Sequence, residues 1–232
     1  LLPLVAVVLG AIEGLVAWGA LELFGAMVAA AIVLGSALLL TGFHHTDGLA
    51  DVGDALMAHG DASRRLEVLK DRNTGAGAVA TMLLTYLITW SALAALLAGG
   101  EAAGEAGARL VWCLIAVEVA ARLALIIVAM LCRPSHSGSG SAFMAALRGW
   151  RGLAAIGVSL AVLAVLAALP LPLEWTRPAL AASGVLAVAL IIAMVAKKAF
   201  DGANGDVLGA TVELGRAGAL LGLVGAINLW PL

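Results

Sequence analysis

Three aspartates, Asp47, Asp51 and Asp54, recur at intervals of four and three residues in the segment His44-His45-Thr46-Asp47-Gly48-Leu49-Ala50-Asp51-Val52-Gly53-Asp54. On a helix these positions share one face, within about 60° of one another. Carboxylates held so close repel at neutral pH unless a cation lies among them. A ligand set made of oxygen alone suits Mg²⁺, or Mn²⁺ in its place, and such ions keep water and share a substrate's phosphates. The chemistry these residues point to is phosphoryl transfer around one or two such ions. The plain alternative is a solvated acidic loop in which Asp47 caps a helix. Position weighs against it, because the cluster directly follows an apolar run, and ionisable groups at membrane depth are a functional-site hypothesis by default.

A second polar run reads Arg64-Arg65-Leu66-Glu67-Val68-Leu69-Lys70-Asp71-Arg72. Its spacing predicts a short amphipathic helix, with Leu66, Leu69 and Val68 on the apolar side. An interfacial helix whose cations meet anionic head groups has the same pattern. In the catalytic reading, Lys70 and the arginines Arg64, Arg65 and Arg72 hold phosphate oxygens. Asp71 then joins Asp47, Asp51 and Asp54 as a metal ligand, and Gly75 and Gly77 let backbone approach the ligand.

A third segment, Cys132 to Ser141, carries Arg133 and His136 among serines and glycines, as an anion-holding turn would. A merely flexible Gly/Ser loop has the same composition. Arg122 falls inside an apolar run and must pair there, with Glu118 one turn earlier as the local partner. Asn204-Gly205-Asp206 is a good turn. Asp206 and Glu213 share a face if the last helix starts near Asp206.

Phosphoryl transfer asks a protein mainly for in-line positioning and charge neutralisation. The candidate catalytic residues are Asp47, Asp51 and His45, the last as base for an attacking hydroxyl, a role an Asp carboxylate fills equally well. The candidate substrate-binding set is Arg64, Arg65, Lys70, Arg72, Arg122, Arg133, His136, Asn204, Asp206 and Glu213.

The remainder of the chain must position these groups, and it is built for lipid. Of 232 residues, 63% are hydrophobic and 12% charged, against roughly 45–50% apolar and 25% charged in soluble domains. Lipid-facing helices account for the excess. A net charge of −2 offers nothing to nucleic acid. The chain begins at Leu1 rather than Met, so upstream residues are expected, and nothing reads as a cleaved signal peptide. Cys113 and Cys132 would lie roughly 28 Å apart on a continuous helix, too far for a disulfide.

Seven apolar stretches are readable, at about 3–20, 26–42, 76–98, 109–131, 152–170, 179–196 and 210–229, most of them long enough to span hydrocarbon. With the N-terminus inside, segments 43–75, 132–151 and 197–209 face the cytoplasm. They hold Arg64, Arg65, Lys70, Arg72, Arg133, Arg148, Arg151, Lys197 and Lys198, as the positive-inside rule demands. Trp175 and Trp230 are expected at the outer interface. No internal repeat is evident. The expectation is an all-α integral membrane protein, about seven transmembrane helices with a short cytoplasmic amphipathic helix, forming a single catalytic domain over 1–232.

Three motifs carry a family resemblance. Gly42-Phe43-His44-His45-Thr46-Asp47-Gly48-Leu49-Ala50-Asp51 resembles the signature G-x-H-x-D-G-L-A-D of cobalamin synthases, the adenosylcobinamide-GDP ribazoletransferases. Arg64-Arg65-Leu66-Glu67-Val68-Leu69-Lys70-Asp71 resembles R-R-L-E-I-M-K-D, and Asn204-Gly205-Asp206-Val207-Leu208-Gly209-Ala210 resembles T-G-D-x-L-G-A. The three occur in the family's order and together are highly specific. Arg72-Asn73-Thr74-Gly75 departs from the family's Ser-Arg-Ile-Gly, and Pro134 to Gly140 matches its Pro-x-x-x-Gly-x-Gly turn only loosely.

The resemblance implies a Mg²⁺-dependent enzyme of the cytoplasmic (inner or plasma) membrane with its active site on the cytoplasmic face. Its substrates would be adenosylcobinamide-GDP and α-ribazole or α-ribazole phosphate, its products a cobalamin and GMP. The bilayer is a further partner, and the sequence leaves a homo-oligomer open. Rival readings are a CDP-alcohol phosphotransferase-like membrane enzyme, whose longer motif does not align past Asp51, and an ion-coupled transporter using Glu13, Glu118 and Arg122. Transport fits less well, since polar groups gather at one face rather than at the midplane.

Overall fold

The computed structural model describes residues 1–71, 73–99, 106–168 and 176–229. These form helices α1 (Leu2–Leu40), α2 (His44–Met57), α3 (Ala62–Val68), α4 (Ala76–Ala98), α5 (Ala106–Leu131), α6 (Ser139–Ala146), α7 (Trp150–Ala168), α8 (Thr176–Phe200) and α9 (Gly205–Leu229). The one β-type pairing among the described residues is an isolated parallel bridge between Pro134 and Ala203. The all-α membrane architecture expected from composition is the one observed.

Six of these helices are long and apolar enough to cross a bilayer, against seven expected stretches. The difference lies in α1. Its 39 residues merge the stretches 3–20 and 26–42, and as a straight rod they would measure about 58 Å, nearly twice the hydrocarbon thickness. Gly25 breaks the rod, with φ 73° and ψ 170°, a conformation open to glycine and strained for other residues. No polar loop separates the two arms. Trp175 and Trp230 lie outside the described residues, so their expected interfacial placement does too.

Helices α5 and α9 form the centre. In each, 78% of the most apolar window is buried, against 17–33% in the other spans. The outer helices show large apolar side chains such as Leu83, Leu84, Ile191 and Met194 on their surfaces, as lipid contact requires. Small residues allow the close approach that holds helices together in lipid. A Cβ on Gly10 would sit 2.5 Å from the Cα of Ile115, and one on Gly14 would sit 2.3 Å from that of Val111. The first arm of α1 therefore lies backbone to backbone against α5. Cys113 and Cys132 are both buried, and no disulfide joins them.

Candidate active site at the ends of α2, α4 and α9

The predicted helical spacing of the aspartates is realised in α2, whose first turn includes Asp47. Phe43 enters the helix with φ 60°, so the chain turns sharply between the end of α1 and His44. Two glycines let α2 bed into its neighbours. A Cβ on Gly48 would lie 2.6 Å from the carbonyl oxygen of Asp206, and one on Gly53 would lie 2.8 Å from that of Gly77. The first contact brings the start of α9 against the acidic face of α2. The second brings in α4, and Tyr86 Oη ties the same pair by a 2.8 Å hydrogen bond to Thr46.

A cavity of about 340 Å³ results, lined by Asp47, Asp51, Asp54, Lys70, Asp71, Asn73 and Thr74 among others. Four expected carboxylates and one expected cation thus share one cavity. Burial pushes the Asp51 carboxyl up to about 6, helped by the negative charges of Asp47, Asp206 and Asp54. Asp206 therefore belongs electrostatically to the group, although a different helix carries it. Among the described residues no three His, Cys, Asp or Glu side chains are drawn tightly enough together to form a ready-made metal cage.

Asp54 has a structural duty as well. Its Oδ2 accepts a hydrogen bond from the Gly75 amide at 2.6 Å and its Oδ1 one from the Ala78 amide at 2.8 Å. These amides open α4 and have no partner within the helix, so Asp54 caps α4 from a distance of more than twenty residues.

The expected amphipathic helix is α3, with Asp61 capping it through the Arg64 amide at 3.0 Å. Leu69 is buried and Leu66 and Val68 half-buried. Arg64 and Arg65 are not among the residues lining the cavity: Arg64 is exposed and pairs with Glu67 at 3.0 Å. Arg65 is half-buried, and Arg72 lies outside the described residues.

Arg133 is also apart from the aspartates. It donates from Nε to the Asp201 carbonyl at 3.0 Å, pairs with the Asp201 carboxylate, and lines a separate cavity with Lys197. The loop bearing His136 is strapped to the start of α9, since Ser135 N donates to Ala203 O at 2.9 Å and Ala203 N to Arg133 O at 2.8 Å. Asn204 is buried and caps α9, its Oδ1 accepting from the Val207 amide at 2.9 Å, while its Nδ2 donates to Asp206 at 2.9 Å.

Arg122 and Glu213 stand in a different place, a buried ionic cluster behind the cavity. Arg122 pairs with Glu118, the partner expected from spacing. Arg216 donates from Nε to Glu118 at 2.7 Å and from Nη1 to Glu213 at 2.6 Å. Glu213 Oε1 lies 3.8 Å from His45 Nδ1, too long for a hydrogen bond. His45 therefore stands with the cluster rather than among the residues lining the cavity. Burial, then the charges of Arg122 and Arg216, push its ring down to about 4, so it is neutral at pH 7. Sequence reasoning did not assign Arg216 to this cluster, nor Glu13 of α1, which is buried and feels the charges of Glu118 and Arg216. The available signal was their placement inside apolar stretches, where an ionisable residue needs a partner.

Fold and site together define a class: a multi-pass α-helical membrane enzyme with an acidic cavity between its helix ends. The family model for cobalamin-5-phosphate synthase matches residues 1–224. The chain belongs to the cobalamin-5-phosphate synthase family, a transferase family, as the sequence motifs led one to expect.

Curated relatives bear the name adenosylcobinamide-GDP ribazoletransferase. The protein of Methanocella arvoryzae is 34% identical over 87% of this chain and 75% of its own length. That of Halorubrum lacusprofundi is 37% identical over 83% and 74%, and that of Thermococcus kodakarensis 34% over 99% and 88%. No solved structure matches the chain.

Proposed function

We propose that the chain transfers the adenosylcobinamide phosphoryl group of adenosylcobinamide-GDP to α-ribazole or α-ribazole phosphate, at the cytoplasmic face of the plasma membrane. The observation that carries this reading is the meeting of Asp47, Asp51, Asp54, Lys70 and Asp71 around one cavity in a chain of this family. A ribazole hydroxyl oxygen bonds to the cobinamide-side phosphorus, the bond from that phosphorus to the bridging oxygen breaks, and GMP leaves. The hydroxyl proton passes to a protein base.

The donor set fits Mg²⁺, because every candidate ligand is a carboxylate oxygen. The lack of a closed cage also fits, since Mg²⁺ takes one or two carboxylates and completes its shell with water and substrate phosphate. Asp47 and Asp51 would hold it, with Asp54 and Asp71 on the same wall. When bound, the ion would neutralise pyrophosphate charge and hold it in line for transfer. Lys70 supplies the cation that the cavity itself contributes toward the phosphates.

For the base, the choice is between a cavity carboxylate that does not hold the ion and His45, whose buried ring is neutral at pH 7. Neutral His45 stands beside Glu213 of the buried cluster. Arg133 and Lys197, which line the separate cavity, would offer positive charge to the more distant parts of the large corrinoid substrate.

GMP release by purified protein in detergent, with both substrates and with or without Mg²⁺, tests the proposal. Metal-dependent GMP formation that needs both substrates and is lost in Asp51→Asn supports it. Release from CDP-alcohol substrates instead would replace it.

A further inference from the structure

Beside the acidic cavity lies a second, larger one of about 630 Å³, and the two share Asp54, Asp71, Asn73 and Thr74 as a common wall. Its other lining residues, Met57, Ala58, Val68 and Ala80 among them, are all apolar or small. Three elements build it: the end of α2, the end of α3 and the first turns of α4. Gly77 makes the junction possible, because a Cβ there would fall 2.6 Å from Gly53 O and 2.8 Å from Met57 Cγ. The volume is that of a small-molecule pocket, and the polar wall faces the groups that handle phosphate.

We infer that this apolar cavity holds the benzimidazole of the α-ribazole substrate and so delivers its ribose hydroxyl to the acidic cavity; the assignment rests on the function proposed above. The competing occupant in the same reaction is guanine. Guanine presents N1–H, an amino group, O6 and N7 along its edge. In a pocket whose far walls carry no polar side chain among the described residues, those groups would lose water without gaining partners, an unfavourable exchange for each. Dimethylbenzimidazole presents two methyl groups there, and burying methyl groups is favourable. A corrin with its side chains is too large for the space. The shared wall supplies the remaining requirement, placing a nucleoside's sugar within reach of the aspartates when its base occupies the apolar side.

The test uses Ala80→Leu and Ala76→Leu. Both positions are exposed, and Leu is at home in a helix, so the variants fill the cavity without disturbing the core. Thermal unfolding of each verifies the fold. The expected result is a KM for α-ribazole raised by about tenfold or more, equivalent to about 1.4 kcal/mol. The KM for adenosylcobinamide-GDP and inhibition by GMP should stay as in the unmodified protein. A ribazole analogue built on unsubstituted benzimidazole should be a poorer substrate than ribazole for the unmodified protein, and the variants should narrow that preference.

A change in GMP inhibition or in the KM for adenosylcobinamide-GDP would give the cavity to guanine and overturn the inference. Unchanged kinetics in both variants would also overturn it, leaving the cavity to lipid. No GMP release by the unmodified protein with both substrates would sink the proposed function itself, and the assignment with it.

Discussion

Arg216 Nε lies 2.7 Å from Glu118 Oε1, across 98 residues of chain, and this contact joins the two central helices α9 and α5. Glu118 also receives Arg122, so one buried carboxylate serves two guanidiniums. Removing one member of a buried ionic group costs about 3–5 kcal/mol, because the partners are left charged and unpaired. Glu118→Met is expected to lower the yield of monodisperse protein in detergent and its unfolding temperature. The pair Glu118→Met with Arg122→Met should recover part of the loss, since Arg216 keeps Glu213. Size-exclusion profiles and thermal unfolding decide the matter.

Asp54 carries two roles that substitution separates. Asp54→Ala strips the cap from α4 and is expected to cost about 2 kcal/mol of stability. Asp54→Asn keeps an acceptor for one amide and should cost less, while weakening the acidic cavity. The expected signature of Asp54→Asn is a near-native unfolding temperature with a higher Mg²⁺ concentration needed for half-maximal activity.

Gly48 sets the distance between α2 and α9. A Cβ there would press on the Asp206 backbone at 2.6 and 2.8 Å, and neither helix can yield at a side chain to relieve it. Gly48→Ala is expected to cost about 1–3 kcal/mol as overpacking. It should also move Asp206 away from Asp47 and Asp51, so activity measured well below the unfolding temperature should fall by more than the loss of folded protein explains.

The raised Asp51 pKa makes a signed prediction about pH. Its ordinary value is 3.8 and its folded value about 6, so between those values the folded state binds the extra proton. Stability without metal should therefore rise as pH falls from 7 towards 4, and this part of it is lost as pH climbs through 6. A cation competes with that proton. The rise in unfolding temperature on adding Mg²⁺ should be largest above pH 7 and shrink below pH 6. A Mg²⁺ effect independent of pH, or absent, would remove Asp51 from the metal site.

Much was legible in the order of residues. The excess of apolar residues, in runs as long as a bilayer is thick, dictates an all-α membrane protein, because lipid leaves backbone amides no other partners. The period of Asp47, Asp51 and Asp54 placed them on one helical face, and Glu118 one turn before Arg122 identified a buried pair. Both are local relationships, set by helix geometry within a few residues. The break at Gly25 was hidden, since a kink between two apolar arms leaves no polar signal and one glycine among 28 does not stand out.

What tertiary structure decided is which distant groups meet. The motif bearing Arg133 and the run bearing Lys70 are both basic, yet packing sends Lys70 into the acidic cavity and Arg133 to Asp201. Asn204, buried at a helix start, became a cap. Glu213 and Arg216 joined Glu118 across the core, while Asp206 came to Asp51 because Gly48 and Gly53 let three helices touch. Side-chain identity and helical period determine what each segment offers. Only the close packing of α2 against α4 and α9, over distances that no local spacing encodes, determines which offers are combined.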